Sequence, residues 1–518
     1  MRRGMFATAH SAVLVGLAAH PVRVEVQATR GVPSFELVGL AEVAVRESRV
    51  RVKSALAQLG VDISECRVVV NLAPADVRKR GSAFDLAIAM GTLVSLELLP
   101  EDALGEVLFL GELSLDGTLH PLRGVVAHLV GARARGVTRA IVPAANEAEA
   151  SLVDGIEIGI ARSLADLVES LRGERALPRA SAKLAASAPL DVPDLGDVRG
   201  QQGGRRALEI AAAGAHNLLF MGPPGGGKTM LARRLPGILP ALARDEALEV
   251  LAIQSVAGLL SGTPRLGVRP FRAPHHTASD VALVGGGDLS RPGEVSLAHQ
   301  GVLFLDELAE FRRGSLEALR QPLEDGFVCV ARAQNTVTYP ARPMLVGATN
   351  PCACGHRGDG SRRCHCKNES VRAYRARMSG PLVDRLDIHH SLPPVDVLSL
   401  RGKSSAERSA VVRARVEKAR AVQRARAEAG ETVASVNAHL TAKDAERVCA
   451  LDAAGAKLVE EAVRRMGLSA RGYAKVLRVA RTIADLEGTT AIRSHHLAEA
   501  IGLRKLDQDV HSLPADAA

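Results

Sequence analysis

A lysine and a threonine follow a run of small residues at Gly222, Pro223, Pro224, Gly225, Gly226, Gly227, Lys228 and Thr229, the spacing G-x-x-x-x-G-K-T. Such a stretch can grip phosphate. Glycines let successive backbone N–H groups curl around an anion, the following helix N-terminus adds positive potential, Lys228 reaches the β and γ phosphates, and Thr229 offers its hydroxyl to Mg2+. Farther along, VLFLDE at residues 302–307 ends an apolar run in paired carboxylates. Asp306 would hold the magnesium and Glu307 would polarise the attacking water. Each segment has a plainer reading alone, a glycine turn with a stray lysine or a buried strand with a capping acid. Together they predict ATP and Mg2+ as cofactors and ATP hydrolysis as the reaction.

The phosphate-loop reading requires a strand before the glycines and a helix after them. NLLFMG and KTMLARRLPGIL supply these, and GVLFLDEL, SLEALRQPLEDG and PMLVGATN continue the alternation. Alternation of this kind predicts a parallel sheet with crossover helices over residues 196–396. Ahead of it, residues 1–172 mix strand-like RVVVNLAP and EVLFLGEL with helical EVAVRESRVRVKSALAQLG, an α+β pattern. The opening MRRGMFATAHSAVLVGLAAH runs on into alternating VRVEVQATRG and reads as a first hairpin, not a secretory signal. Residues 173–195, rich in Ala, Ser and Pro, read as a linker. From 397 to 510 strand signals stop, and SAERSAVVRARVEKARAVQRARAEAG, TAKDAERVCALDAAGAKLVEEAVRRMG and SARGYAKVLRVARTIADLEG all read as helices.

At 518 residues the chain is too long for one hydrophobic core, and with 2% aromatic residues its cores must be packed by Ala, Val and Leu. A formal charge of +9 favours an anionic partner, and the scarcity of aromatics steers any nucleic-acid contact to phosphates instead of stacked bases. No uninterrupted apolar run reaches the ~18 residues that a membrane span needs. Seven cysteines, four of them from Cys352 to Cys366, suit the reduced cytoplasm and a metal better than a disulfide framework.

In order, GPPGGGKT, GVLFLDE, VGATNP and PLVDRLD, with a helical lid behind them, resemble an AAA+ ATPase of the magnesium-chelatase-related branch. The resemblance implies three further roles: Asn350 as the sensor that positions water, Arg385 as the arginine finger of a neighbour's site, and Arg471 as the sensor arginine of the lid. A finger acting on a neighbour implies a ring, in this branch a homo-hexamer. Read only locally, Arg385 between Asp384 and Asp387 is equally a surface salt-bridge partner. The front segment from GELSLDGTLHPLRG onward resembles the proteolytic domain of Lon-type proteases. Val126 stands where that pattern carries its lysine, however, and Ser82 in KRGSAFD is one position out of register. A serine without its base has no activated nucleophile, so an inactive Lon-like domain is expected.

RPFRAPHHTASDVALVGGGDLSRPGEVSLAHQ resembles the helix-two insertion of the same branch, a projection into the ring channel. Arg269, Arg272, His275 and His276 ahead of Gly285, Gly286 and Gly287 then read as a mobile phosphate-touching loop, or as an ordinary capped surface loop. FVCVARAQNTVTY reads as a hairpin with Arg332 near its tip, a DNA contact by position. Cys352, Cys354, Cys364 and Cys366, within an insertion at 351–367, either form a thiolate zinc site or remain free thiols, with His356 and His365 as rival ligands. On the helix read from Ser404 to Gly430, Arg413, Arg420 and Arg424 either face phosphate or form a solvated face.

The expected architecture is α/β: an AAA+ phosphate-loop core with a helical lid, behind an α+β Lon-like domain. This combination resembles the ComM/YifB family across nearly the whole chain. The resemblance implies a cytoplasmic, hexameric, ATP-driven motor on single-stranded or branched DNA, in recombination or natural transformation, with recombination proteins as partners. The alternative is a chelatase-like ATPase that remodels a protein or inserts a metal, indifferent to DNA.

Overall fold

Alternating Ala and Val in FATAHSAVLV and AAHPVRVEVQATR give two strands with one buried face each, β1 (Phe6–Val15) and β2 (Ala18–Arg30). They pair antiparallel from Phe6 opposite Gln27 to Val15 opposite Ala18, around a two-residue turn whose Gly16 has φ +65°. The computed structural model describes residues 5–504 except 41, 182–191, 261–264, 288–290, 333–334, 361–362, 379 and 396–405. By its contacts the chain divides into two units: Met1–Ala188 with Ala243–Gly267 and Ala331–Tyr339, and the remainder.

The first unit is built on a seven-stranded mixed sheet that also holds β3 (Ser34–Val38), β4 (Cys66–Ala73), β5 (Val107–Phe109), β6 (Arg139–Pro143) and β7 (Glu157–Ala161), in the order β3-β4-β2-β1-β5-β6-β7. Helix α1 (Val43–Gln58) lies near α2 (Asp85–Ser95), every residue of which is buried. The one charge on α2, Asp85, is matched by Arg51 Nε at 2.5 Å and accepts the Leu113 N–H at 3.1 Å. Val126 is a core residue of α3 (Val125–Arg133). Ser82 donates its hydroxyl to Glu112, while the buried Lys79 ammonium donates to the Pro74 carbonyl. The helix Arg244–Ala257 belongs to this unit, its Leu248, Leu251 and Ala252 sharing a core with Val125 and Leu129.

In the second unit, α4 (Gln202–Gly214) precedes a fully parallel five-stranded sheet. Its strands are β8 (Leu218–Met221), β9 (Phe271–Arg272), β10 (Val302–Leu305), β11 (Met344–Thr349) and β12 (Ile388–Ser391), in the order β9-β10-β11-β8-β12. β8, β10 and β11 are buried at every position, as strands covered on both faces must be. The order reverses at β8, so a crevice opens beyond the carboxyl ends of β8, β10 and β11. The lid holds α6 (Ser409–Glu428), α7 (Ala442–Val448), α8 (Ala453–Met466), α9 (Ala470–Glu487) and α10 (Ser494–Gly502). Among the described residues, no helix is long and apolar enough to cross a membrane.

Two expectations change. KTMLARRLPGIL is two short helices, α5 (Lys228–Ala232) and the turn Leu235–Ile238, because Pro236 has no N–H with which to continue the ladder. The face of α6 read as either phosphate-facing or solvated is largely spent on the fold. Arg413 Nε donates to the Gly237 carbonyl at 2.9 Å and Arg420 Nη2 to that of Ala212 at 2.8 Å, leaving Arg424 exposed on that face.

Candidate nucleotide site

Residues Gly222–Gly227 leave β8 at the point where the strand order reverses. Gly222 N donates to Thr349 O at 3.2 Å, and a Cβ there would lie 2.7 Å from the Leu392 carbonyl. Gly225 and Gly227 take φ +76° and +85°, values that favour glycine. Pro223 and Pro224 occupy the turn between Gly222 and Gly225, and Gly226 N closes it onto Pro223 O at 3.1 Å.

Lys228 opens α5 and is buried. Its ammonium donates to Gly222 O at 2.6 Å, Pro223 O at 3.0 Å and Asn350 Oδ1 at 3.0 Å, so all of its protons have oxygen partners. Burial pulls its pKa down, against the opposing pull of Asp306 and Glu307. Thr229 Oγ1 donates to Asp306 Oδ2 at 2.7 Å, which puts the two oxygens read as magnesium ligands in contact. Three strand ends thus bring Lys228, Thr229, Asp306, Glu307 and Asn350 to one rim, an arrangement able to hold a metal–triphosphate and orient a water against it.

Glu307 has φ +53°, a left-handed conformation unusual outside glycine, and its Oε2 lies 3.2 Å from His276 Nδ1. His276, half-buried, also lies 4.1 Å between ring centres from exposed His275, the two rings tilted by 33°. The segment read as a phosphate-touching loop therefore reaches the nucleotide rim. Arg272 is a residue of strand β9 held by Glu294 through contacts of 2.6 and 2.7 Å, and Arg269 Nε donates to Pro240 O at 2.6 Å. Gly285 and Gly286 pair with Arg291 and Pro292 in a two-stranded ribbon. The hairpin in FVCVARAQNTVTY forms from Phe327–Arg332 and Asn335–Pro340, but the Arg332 side chain and the turn at 333–334 lie outside the described residues.

Arg385 and Arg471 stand elsewhere. Both face one carboxylate, Glu324, at 2.5 and 3.9 Å, and Arg471 also reaches Asp384 at 3.5 Å. Together they line a cleft of about 740 Å³ with Lys475 and Arg478, to which the phosphate loop contributes nothing. The lid grips the Arg385 turn from behind: Lys475 Nζ donates to Asp384 O at 2.6 Å, and Arg504 Nη1 to Leu386 O at 3.0 Å. Asp387 is buried beneath, 3.3 Å from Lys475 and accepting the Asn217 N–H at 3.0 Å. Burial pushes its carboxyl up, but Lys475 and then His216 outweigh it and hold the group well below the usual carboxylate range.

The sulfurs of Cys352, Cys354, Cys364 and Cys366 all lie within 4.8 Å of one another. His356 is not among them; its Nδ1 faces Asp359 at 2.9 Å. Two further residues at the rim had no motif to reveal them. Gln201, with φ +49°, donates to Gly226 O at 3.0 Å, and buried Tyr374 packs by Thr349 and Asn350. A left-handed glutamine and an aromatic reaching back from a later helix leave no local pattern.

Three family descriptions match successive parts of the chain: "Subunit ChlI of Mg-chelatase" over residues 24–146, "Magnesium chelatase, subunit ChlI" over 194–400, and "Magnesium chelatase, subunit ChlI C-terminal" over 406–504. The Competence protein ComM of Haemophilus influenzae is 43% identical over 505 residues, covering 96% of this chain and 97% of that protein. YifB of Escherichia coli is 42% identical over 501 residues, covering 96% and 97%. The magnesium-chelatase 38 kDa subunit of Rhodobacter capsulatus is 27% identical over 316 residues, covering 58% of this chain and 82% of that protein. Near-complete coverage at this identity, on a parallel-sheet core whose phosphate loop meets its acidic strand end, makes the chain a magnesium-chelatase-related AAA+-type ATPase belonging to the ComM/YifB family.

Proposed function

We propose that the protein is a ring-forming, hexameric, ATP-driven motor that moves single-stranded or branched DNA, with ATP and Mg2+ held by Gly222–Thr229 and Asp306. The observation that carries the ring is the separation of Arg385 and Arg471 from their own phosphate loop, together in a cleft around Glu324. Arginines so placed are of use to phosphate chemistry when a neighbouring chain presents its nucleotide to them. In such a ring Lys228 exchanges loop carbonyls for phosphate oxygens, Thr229 and Asp306 ligate the metal, and Glu307 orients water. DNA as cargo is supported by the +9 charge, by His275 and His276 beside the catalytic rim, and by the likeness to a protein named for competence.

The test is ATP hydrolysis by the full chain with no DNA, single strands, duplex, forks and four-way junctions, with Glu307→Gln as the inactive control. Stimulation by branched DNA with ATP-dependent resolution of the junction supports the motor. Turnover indifferent to every DNA form, yet abolished in Glu307→Gln, favours the protein-remodelling reading, which the 27% likeness to a chelatase subunit keeps in view.

A further inference from the structure

The four thiols of the cysteine insertion do more than lie near one another. Cys352 Sγ is 3.3 Å from Cys354 Sγ and 3.8 Å from Cys364 Sγ, and all four sulfurs fall within 4.8 Å. A zinc ion with Zn–S bonds of about 2.3 Å sets tetrahedral sulfurs about 3.8 Å apart, so the cluster is near the size of a zinc cage. Cys352 is buried, and the pairs approach from opposite ends of the insertion. Four convergent thiols in one loop have little packing value; a closed thiolate cage is the arrangement of structural zinc sites.

The cage has a mechanical connection. The turn that carries Cys352 and Cys354 closes with Gly355 N donating to Cys352 O at 2.9 Å. Gly355, at φ +82°, packs so tightly that a Cβ there would sit 2.8 and 2.9 Å from the Pro224 ring and 3.8 Å from Asn350 Cγ. Pro224 is part of the phosphate loop, and Asn350 accepts from Lys228 at 3.0 Å. On the far side, Arg375 Nε reaches Pro351 O at 3.3 Å.

We propose that Cys352, Cys354, Cys364 and Cys366 bind one zinc ion as thiolates, and that this ion is a strut for the nucleotide site. Filling the cage fixes the Cys352–Gly355 turn as a wall against Pro224, so metal occupancy sets nucleotide affinity. Binding releases the thiol protons and involves no redox change, since zinc keeps one oxidation state. The proposal rests on Gly222–Thr229 as the nucleotide loop and is independent of DNA as cargo.

The full chain purified without chelator is assayed for zinc and iron, then treated with a mercurial that displaces thiolate-bound metal. A fluorescent ADP analogue with Mg2+ reports affinity before and after. One zinc per chain is expected, released in step with thiol modification, with affinity falling at least threefold and recovering when thiol and zinc are restored. Gly355→Ala, which keeps every thiol, should retain zinc but bind the analogue at least threefold more weakly. Absent zinc, a disulfide between these cysteines, or stoichiometric iron overturns the metal assignment. Zinc present but with unchanged affinity on release and in Gly355→Ala overturns the strut. A chain that holds zinc but binds no nucleotide overturns the nucleotide-loop reading on which the strut depends, and loss of DNA stimulation alone overturns only the motor reading.

Discussion

His276 Nδ1 lies 3.2 Å from Glu307 Oε2, and Glu307 sits on a left-handed backbone at φ +53°. A carboxylate engaged by an imidazole is restrained from polarising water, so under the proposed role of Glu307 this contact joins the insertion that carries His275 and His276 to the step that breaks ATP. We expect His276→Ala to raise ATP turnover without DNA several-fold and to shrink the stimulation by DNA. Steady-state hydrolysis with and without forked DNA checks this; equal basal rates in variant and parent would remove the tether from the mechanism.

Arg385 acts across a subunit boundary in the proposed ring, so its loss should be complemented. Arg385→Ala and Glu307→Gln should each lower turnover by about 10³-fold, as removal of a finger or of a water-orienting residue does in phosphoryl transfer. An equal mixture should regain a clear fraction of parental activity, because some interfaces then combine an intact Glu307 with an intact Arg385. A mixture as inactive as its parts places Arg385 outside the neighbour's site.

Asp387 and Lys475 form a buried pair at 3.3 Å under the Arg385 turn. Asp387→Asn leaves the Lys475 ammonium buried without its counter-charge and should cost about 3–5 kcal/mol of stability in denaturant unfolding. The folded carboxyl titrates below its unfolded value, so this contribution is present above about pH 4 and fades as pH falls through the depressed folded value. A loss under ~1 kcal/mol at neutral pH would mean that the carbonyl contacts of Lys475 and Arg504 hold the turn unaided.

His128 on α3 is buried, its Nδ1 has no partner among the described residues, and burial lowers its pKa to about 4. The unfolded chain, with an ordinary histidine near 6.5, binds the proton first, so stability is full above that value and falls as pH drops toward 4. The contribution is at most about 3 kcal/mol, at about 1.4 kcal/mol per pKa unit. Amide exchange in α3 of the full chain, corrected for intrinsic rate, should show protection declining through this window, and His128→Leu should flatten the decline.

The convergence of the candidate nucleotide residues was readable because they are consecutive and follow strands with unmistakable apolar runs: Gly222–Thr229 after LLFM, and Asp306 and Glu307 after VLFL. The convergence of the four cysteines was likewise readable from their closeness in sequence. What escaped depends on partners far along the chain. Arg413 and Arg420 could be read as a phosphate-facing stripe or a solvated face, but the carbonyls of Gly237 and Ala212 that hold them leave no trace in the local spacing of α6. Arg272 was readable as part of a mobile loop or of an ordered one, and its bidentate partner Glu294, 22 residues along, left no local sign. Which histidine meets Glu307 depends on the adjacency of β9 and β10, a property of strand order that no single segment encodes.

Glu324 gives the cleft of Arg385 and Arg471 a resident anion. Its carboxylate faces Arg385 and Arg471 together, and its side chain is 55% exposed, so it can swing away at small cost. In the proposed ring, a nucleotide arriving from the next chain would trade places with a single-charged tenant. Docking then gains only the difference between the incoming phosphate and that carboxylate. A triphosphate would clear that threshold by more than a diphosphate does, and the seam of the proposed ring would become a gauge of nucleotide charge that loosens as each γ-phosphate departs.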